Sequence, residues 1–101
     1  MAVITITTDN FEKEIMESER TVLLDFFATW CGPCRMVGPV LEEIAEERKD
    51  ILVGKIDVDA QSALAAQFSV TSIPTLVIIK DGKITNKAVG ARNKREILSM
   101  L

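Results

Sequence analysis

The alternation of apolar and polar positions divides the chain into segments of two kinds. VITI at 3–6 is a short β-branched run and predicts a strand. In TDNFEKEIMES, Asp9 is followed three residues on by Glu12, a variant of the capping box. Phe11, Ile15 and Met16 give that stretch one apolar face, which predicts a helix ending near Ser18. TVLLDFFA at 21–28 is apolar on both alternating faces, the pattern of a strand covered on two sides. In CRMVGPVLEEIAEERKD, Met36, Val37, Val40, Leu41 and Ile44 recur at helical spacing opposite a charged face, and Pro39 inside the pattern predicts a kink. ILVGKIDV at 51–58 is the next strand, and SALAAQF a short helix with Leu64 and Phe68 one turn apart. TLVIIKDGKIT predicts a hairpin, because Asp81-Gly82 suits a type I′ turn. The tail NKREILSML places Asn93 and Glu96 as a cap and Ile97, Leu98 and Leu101 as an apolar face.

The resulting order, β-α-β-α-β-α-β-β-α, is that of an α/β fold. Early alternation implies parallel strands with crossover helices, and the late hairpin adds an antiparallel edge, so a mixed sheet with helices on both faces is expected. A chain of 101 residues with 48% hydrophobic positions makes one domain, 1–101, with a core that needs no disulfide staples. The net charge of −3, from 12 basic and 15 acidic residues, argues against a nucleic-acid partner. The N-terminal MAVITITTDNF has neither the basic nor the apolar region of a signal peptide, and no apolar run is long enough to span a bilayer. The expectation is a cytoplasmic protein without a membrane role, in a compartment where structural disulfides are rare.

Against that background the placement of both cysteines, Cys31 and Cys34, in ATWCGPCR gains weight. Cys31 falls at a strand-to-helix junction. Unpaired amides and aligned peptide dipoles favour a thiolate over a thiol there, so its pKa drops below the ordinary value of about 8.5. The thiolate is the form that attacks a disulfide. Cys34 lies one turn further into the helix, turned towards the protein, where it can resolve the mixed disulfide that Cys31 forms. Gly32 admits a close substrate backbone, and Pro33 in the first turn fixes φ at no cost in donors. Zinc held by one chain needs about four ligands, whereas this chain has two cysteines and no histidine. Arg35 occupies the position a covalent haem would require as histidine. A metal or cluster shared between two chains stays open on these grounds. A purely structural disulfide across so short a loop would constrain little.

Other residues stand out beside the pair. Asp25 interrupts an apolar strand between same-face neighbours Leu23 and Phe27. Burial there raises its pKa, and such a group can exchange protons near neutral pH. Lys55 in VGKIDVD is read as a solvated or snorkelling side chain. Pro74 starts a strand, a permitted place. Trp30, a large ring at a loop, suits a contact surface.

The motifs DFFATWCGPCR, VGKIDVD, SIPT and VGA, in this order and spacing, resemble the thioredoxin family over essentially the whole chain. The resemblance implies a central mixed five-stranded sheet, its last strands an antiparallel hairpin, flanked by four helices. It implies a thiol–disulfide oxidoreductase that reduces disulfides of partner proteins, with Cys31 attacking and Cys34 resolving. Asp25 would assist deprotonation of Cys34, and Lys55 would modulate Asp25. The Ile73-Pro74 bond would be cis and lie against the cysteines, leaving the Ile73 backbone free to pair with an extended substrate. Trp30, Gly32, Pro33, Ile73, Pro74, Val89, Gly90 and Ala91 would form the docking patch. No bound metal or organic cofactor is implied; a thioredoxin reductase, a flavoprotein drawing on NADPH or ferredoxin, would return electrons to a monomeric chain. A disulfide oxidase or isomerase, whose motifs usually carry histidine, and a redox-independent binding module are the alternatives. Phe27 and Arg35 depart from the commoner tryptophan and lysine; the first difference bears on packing and fluorescence, the second on partner preference.

Overall fold

Strand β2 (Thr21–Phe27) is the axis of the sheet, and its two faces explain the two halves of the core. A computed structural model describes residues 2–101. Among these residues the strands β1 (Val3–Thr5), β2, β3 (Ile51–Asp57), β4 (Thr75–Lys80) and β5 (Lys83–Val89) form one five-stranded sheet in the order β1-β3-β2-β4-β5. β1 and β2 run parallel to β3, whereas β2–β4 and β4–β5 are antiparallel. The mixed sheet is the expected one. It is flanked by a π-helical turn (Glu12–Met16) and three α-helices, α1 (Gly32–Glu47), α2 (Ser62–Gln67) and α3 (Lys94–Met100).

Side chains alternate across a strand, so Val22, Leu24 and Phe26 face one way and Leu23, Asp25 and Phe27 the other. The first set packs with Phe11 and Ile15, and with Leu64 and Phe68 near α2. On the opposite face, Leu23 packs with Val37, Leu41, Ile44 and Ala45 of α1 and with Ile97 of α3. Asp25 thus sits on the α1 side of the sheet, inside a layer that is otherwise apolar. β3 repeats the rule with one gap. Gly54 lies where an added Cβ would come within 2.8 Å of Ile6 Cγ1 and 3.2 Å of Leu24 Cδ2.

Local chemistry fixes the ends of the elements. Asp81 and Gly82 both have positive φ, 52° and 75°, as a type I′ turn demands. The Asn93–Glu96 capping box forms reciprocally: the Glu96 N–H donates to Asn93 Oδ1 at 2.8 Å, and the Asn93 N–H donates to Glu96 Oε1 at 2.9 Å. Lys94 then reaches α1, donating to Glu43 at 2.6 Å and Glu47 at 2.7 Å, and ties α3 to it.

Three expectations are revised. The first helix is only five residues long and π-helical, and Asp9 does not cap it. Asn10 organises that entry instead, because its amide both accepts and donates. Its Oδ1 takes the Thr7 N–H at 2.8 Å, and its Nδ2 donates to the Thr5 carbonyl at 3.0 Å. Met16 lies at the rim of that turn, 36% exposed, while Ile15 alone is fully buried. On α1, Met36 is not part of the core face. The buried stripe runs through Val37, Leu41, Ile44 and Ala45, and Met36 lies a hundred or so degrees round the helix from it. α1 continues past Pro39, the residue at which a kink is expected, with that ring on the exposed side.

Gly54→Ala should destabilise the fold by about 1–3 kcal/mol, the usual cost of forcing an extra methyl into a filled core. Urea denaturation measures this; an unchanged midpoint would mean that Ile6 and Leu24 give way freely.

Candidate active site

The cysteine loop joins the carboxyl end of β2 to the amino end of α1. Cys31 is the N-cap residue of α1, with extended backbone angles of −86° and 113°. Its Sγ accepts the backbone N–H of Cys34 at 3.2 Å, so the sulfur occupies the position in which a serine or aspartate oxygen caps other helices. Pro33 lies in the first turn, which contains no acidic residue to oppose negative charge on that sulfur. Cys31 and Cys34 form a disulfide, with Cα atoms 5.3 Å apart. Both are 4% exposed and pack with Ala28, Phe27, Val58 and Ile73. Cys34 is turned inward as expected, and in the disulfide form Cys31 is covered to the same extent. The asymmetry lies below them. Cys34 lines a cavity of about 280 Å³ together with Asp25, Lys55 and Arg35, and Cys31 does not.

Asp25 is 4% exposed, and its Oδ1 has no hydrogen-bond partner within the chain. Removal from water pushes its carboxyl up to about 7, against a smaller downward pull from the Lys55 charge. The pairing of β2 with β3 sets Lys55 directly beside Asp25 on the same face. The half-buried Lys55 side chain carries its ammonium 6.0 Å from the Phe27 ring centroid. Arg35 enters from α1 and donates from Nη2 to the Thr29 carbonyl at 2.8 Å, closing the loop on itself.

Of the remaining residues singled out from the sequence, Ile73 meets the disulfide directly, and Val89, Gly90 and Ala91 connect to it through Pro74. Ile73 packs on the cysteine cluster, and the Ile73–Pro74 peptide is cis. Among the described residues, the Ile73 N–H and carbonyl have no hydrogen-bond partner in the chain. The buried Pro74 uses its carbonyl to accept the Gly90 N–H at 2.7 Å, which draws Val89, Gly90 and Ala91 alongside. Gly90 has φ of 97°, a conformation that favours glycine. Gly32 and Pro33 are exposed, and a Cβ on Gly32 would meet nothing within 4 Å, so no internal contact demands glycine there.

Trp30 is 67% exposed yet anchored: its Nε1–H donates to Asp59 Oδ2 at 2.8 Å. The loop carrying Asp59 is held by Asp57, whose Oδ1 accepts the N–H groups of Asp59 and Ala60. Trp30, Val58, Val70, Thr71, Ser72 and Ile73 line a crevice of about 170 Å³ beside the disulfide. Sequence reasoning passed over Asp59 and this crevice. The carboxylates just after β3 were the available signal, but only the fold brings one of them to Trp30.

A sheet that presents a Cys-Gly-Pro-Cys disulfide at a helix amino terminus, over a buried carboxyl and beside a cis-proline loop, defines a thiol–disulfide oxidoreductase. Comparison with known proteins gives the lineage. The family described as Thioredoxin matches residues 2–101. Thioredoxin from Mycobacterium tuberculosis is 50% identical over 101 residues, covering 99% of this chain and 87% of that protein. Thioredoxin from Staphylococcus haemolyticus is 45% identical over 104 residues, covering 100% and 96%. A bifunctional thioredoxin reductase/thioredoxin from Mycobacterium leprae is 46% identical over 96 residues, covering 94% of this chain and 21% of that longer protein. The chain belongs to the thioredoxin family, and its activity is the reduction of protein disulfides.

The raised Asp25 pKa has a signed consequence for stability. The folded chain holds this proton up to about pH 7, whereas the unfolded chain releases it near 4. Ionisation of Asp25 therefore costs nothing below pH 4, destabilises progressively between 4 and 7, and costs a constant amount above 7. Asp25→Asn should match wild type at pH 4 and be the more stable protein at pH 8, the gap widening by about 1.4 kcal/mol per pH unit in between. Urea unfolding at a series of pH values measures the gap; a gap independent of pH would mean an ordinary, hydrated carboxyl.

Proposed function

We propose that Cys31 is the attacking thiolate and Cys34 the resolving thiol of a reductant for protein disulfides. The observation that carries this assignment is the N-cap position of Cys31, with the Cys34 amide directed at its sulfur. Charge on that atom is stabilised by the aligned peptides of a 16-residue helix. Cys31 attacks one sulfur of a partner disulfide, the other leaves as a thiolate, and a mixed disulfide forms. Cys34 loses its proton to Asp25 across their shared cavity and attacks Cys31 Sγ. The second partner sulfur leaves, and the chain ends as the Cys31–Cys34 disulfide. With its carboxyl near 7, Asp25 can accept a proton at neutral pH and release it again. Lys55 moderates that affinity through its charge.

Partner proteins dock on Trp30, Gly32, Pro33, Ile73, Pro74, Val89, Gly90 and Ala91. An extended segment pairs with the free backbone groups of Ile73, a form of strand addition. Electrons reside in the two sulfurs, and no bound metal or organic cofactor takes part. A thioredoxin reductase, flavin-linked to NADPH or dependent on ferredoxin, restores the dithiol. The M. leprae relative, named for both activities in one chain, supports a reductase of this kind as partner. The protein acts as a monomer in the cytoplasm.

Insulin-disulfide reduction driven by dithiothreitol tests the roles. Cys31→Ser should reduce the rate to that of dithiothreitol alone. Cys34→Ser should stall as a mixed disulfide through Cys31, detectable by mass. Alkylation of the reduced wild type at neutral pH should label Cys31 well before Cys34. Equal labelling, or activity retained in Cys31→Ser, would sink the assignment.

A further inference from the structure

Met36 is the most exposed of the large apolar side chains among the described residues, at 73%. It stands two positions after Cys34 on α1, outside the buried stripe of that helix, so the fold gains nothing from an apolar group there. It borders a recess of about 280 Å³ with Val40, Ala91, Arg92 and Asn93. Ala91 belongs to the docking surface, so the recess continues that surface onto α1. A thioether is unbranched and polarisable, well suited to adaptable apolar contact with varied partners. It is also the side chain that peroxides convert to a polar sulfoxide.

We propose that Met36 is an oxidative modification site: peroxide converts its thioether to the sulfoxide, which weakens the docking of partner proteins and leaves the disulfide chemistry intact. The inference rests on the docking surface described under Proposed function. In the modification, a sulfur lone pair attacks one oxygen of hydrogen peroxide and the O–O bond breaks. The sulfur is oxidised by two electrons and keeps one oxygen. The other oxygen is reduced and leaves as water after proton transfer. The product is an S=O dipole beside Ala91, a polar group where a partner would bring an apolar one.

The described methionines differ enough to make the site selective. Met16 is half as exposed and borders a crevice with Phe68 and Ile79; Met100 is partly buried against the α1 side of the core. Met1 lies outside the described residues. In the oxidised protein both thiols are tied up in the disulfide, so peroxide reaches thioethers without consuming the cysteines.

The test treats the disulfide form of the full chain with hydrogen peroxide and follows each methionine by peptide mass. Met36 should gain one oxygen at least about threefold faster than Met16 or Met100, as susceptibility follows exposure. After peroxide is removed, insulin reduction by the treated protein should show a KM about fivefold higher with kcat little changed, the effect of losing one apolar contact. Met36→Leu, compared with its own untreated sample, should show no peroxide-dependent change. Oxidation of Met36 no faster than of the other two overturns the proposal, and so does an unchanged KM in the sulfoxide form. Ala91→Glu separates this failure from failure of the docking surface itself. A raised KM in that variant with no effect of the Met36 sulfoxide refutes the Met36 role alone; no effect of either removes the docking surface as well.

Discussion

The hydrogen bond from the Cys34 amide to the Cys31 sulfur is the contact on which the reactive end of this molecule depends. Helix amino termini leave several N–H groups unpaired, and most proteins satisfy them with an oxygen. Here a sulfur takes that place. The same contact that starts α1 therefore aims peptide dipoles at the Cys31 sulfur, the atom proposed to attack, so that structure and the proposed chemistry use one set of amides. Three neighbouring features preserve that geometry. Pro33 stiffens the first turn, Arg35 closes the loop onto the Thr29 carbonyl, and Ile73 packs from outside.

Beneath the loop the fold accepts a cost. Asp25 occupies an inward position on the central strand, where Leu23 on the same face is buried among apolar neighbours. An aliphatic residue at 25 would serve the core better. Burial without a partner for Oδ1 is what lifts its carboxyl into the neutral range, so the destabilisation and the capacity for proton exchange have one origin. Lys55, set alongside by strand register, limits the lift.

Much of this was legible in the sequence because it is carried by short-range rules. Strand alternation placed Asp25 inward, Asp81-Gly82 announced the hairpin, and Asn93 with Glu96 announced the last cap. The cysteine spacing and the run of motifs identified the site. What escaped depends on distant contacts or on competition between neighbours. Asn10 displaced Asp9 at the first turn, because an amide can bond in two directions and a carboxylate cannot. Met36 fits the apolar periodicity of α1 by spacing, but α1 meets the sheet and α3 over a narrower stripe than that pattern spans. The Trp30–Asp59 bond joins residues 29 positions apart, and nothing local to either one specifies the other.

The hydrogen bond between the Pro74 carbonyl and the Gly90 amide joins the start of β4 to the end of β5 at the lip of the site. On the docking surface proposed above, this strand-to-strand brace fixes the Pro74 and Gly90 backbone, and adaptable contact is left to side chains such as Met36 and to the incoming polypeptide. A partner whose sulfur bridge lies in a loose, solvent-facing stretch suits such a lip; one locked inside a rigid core stays beyond reach until its own fold opens.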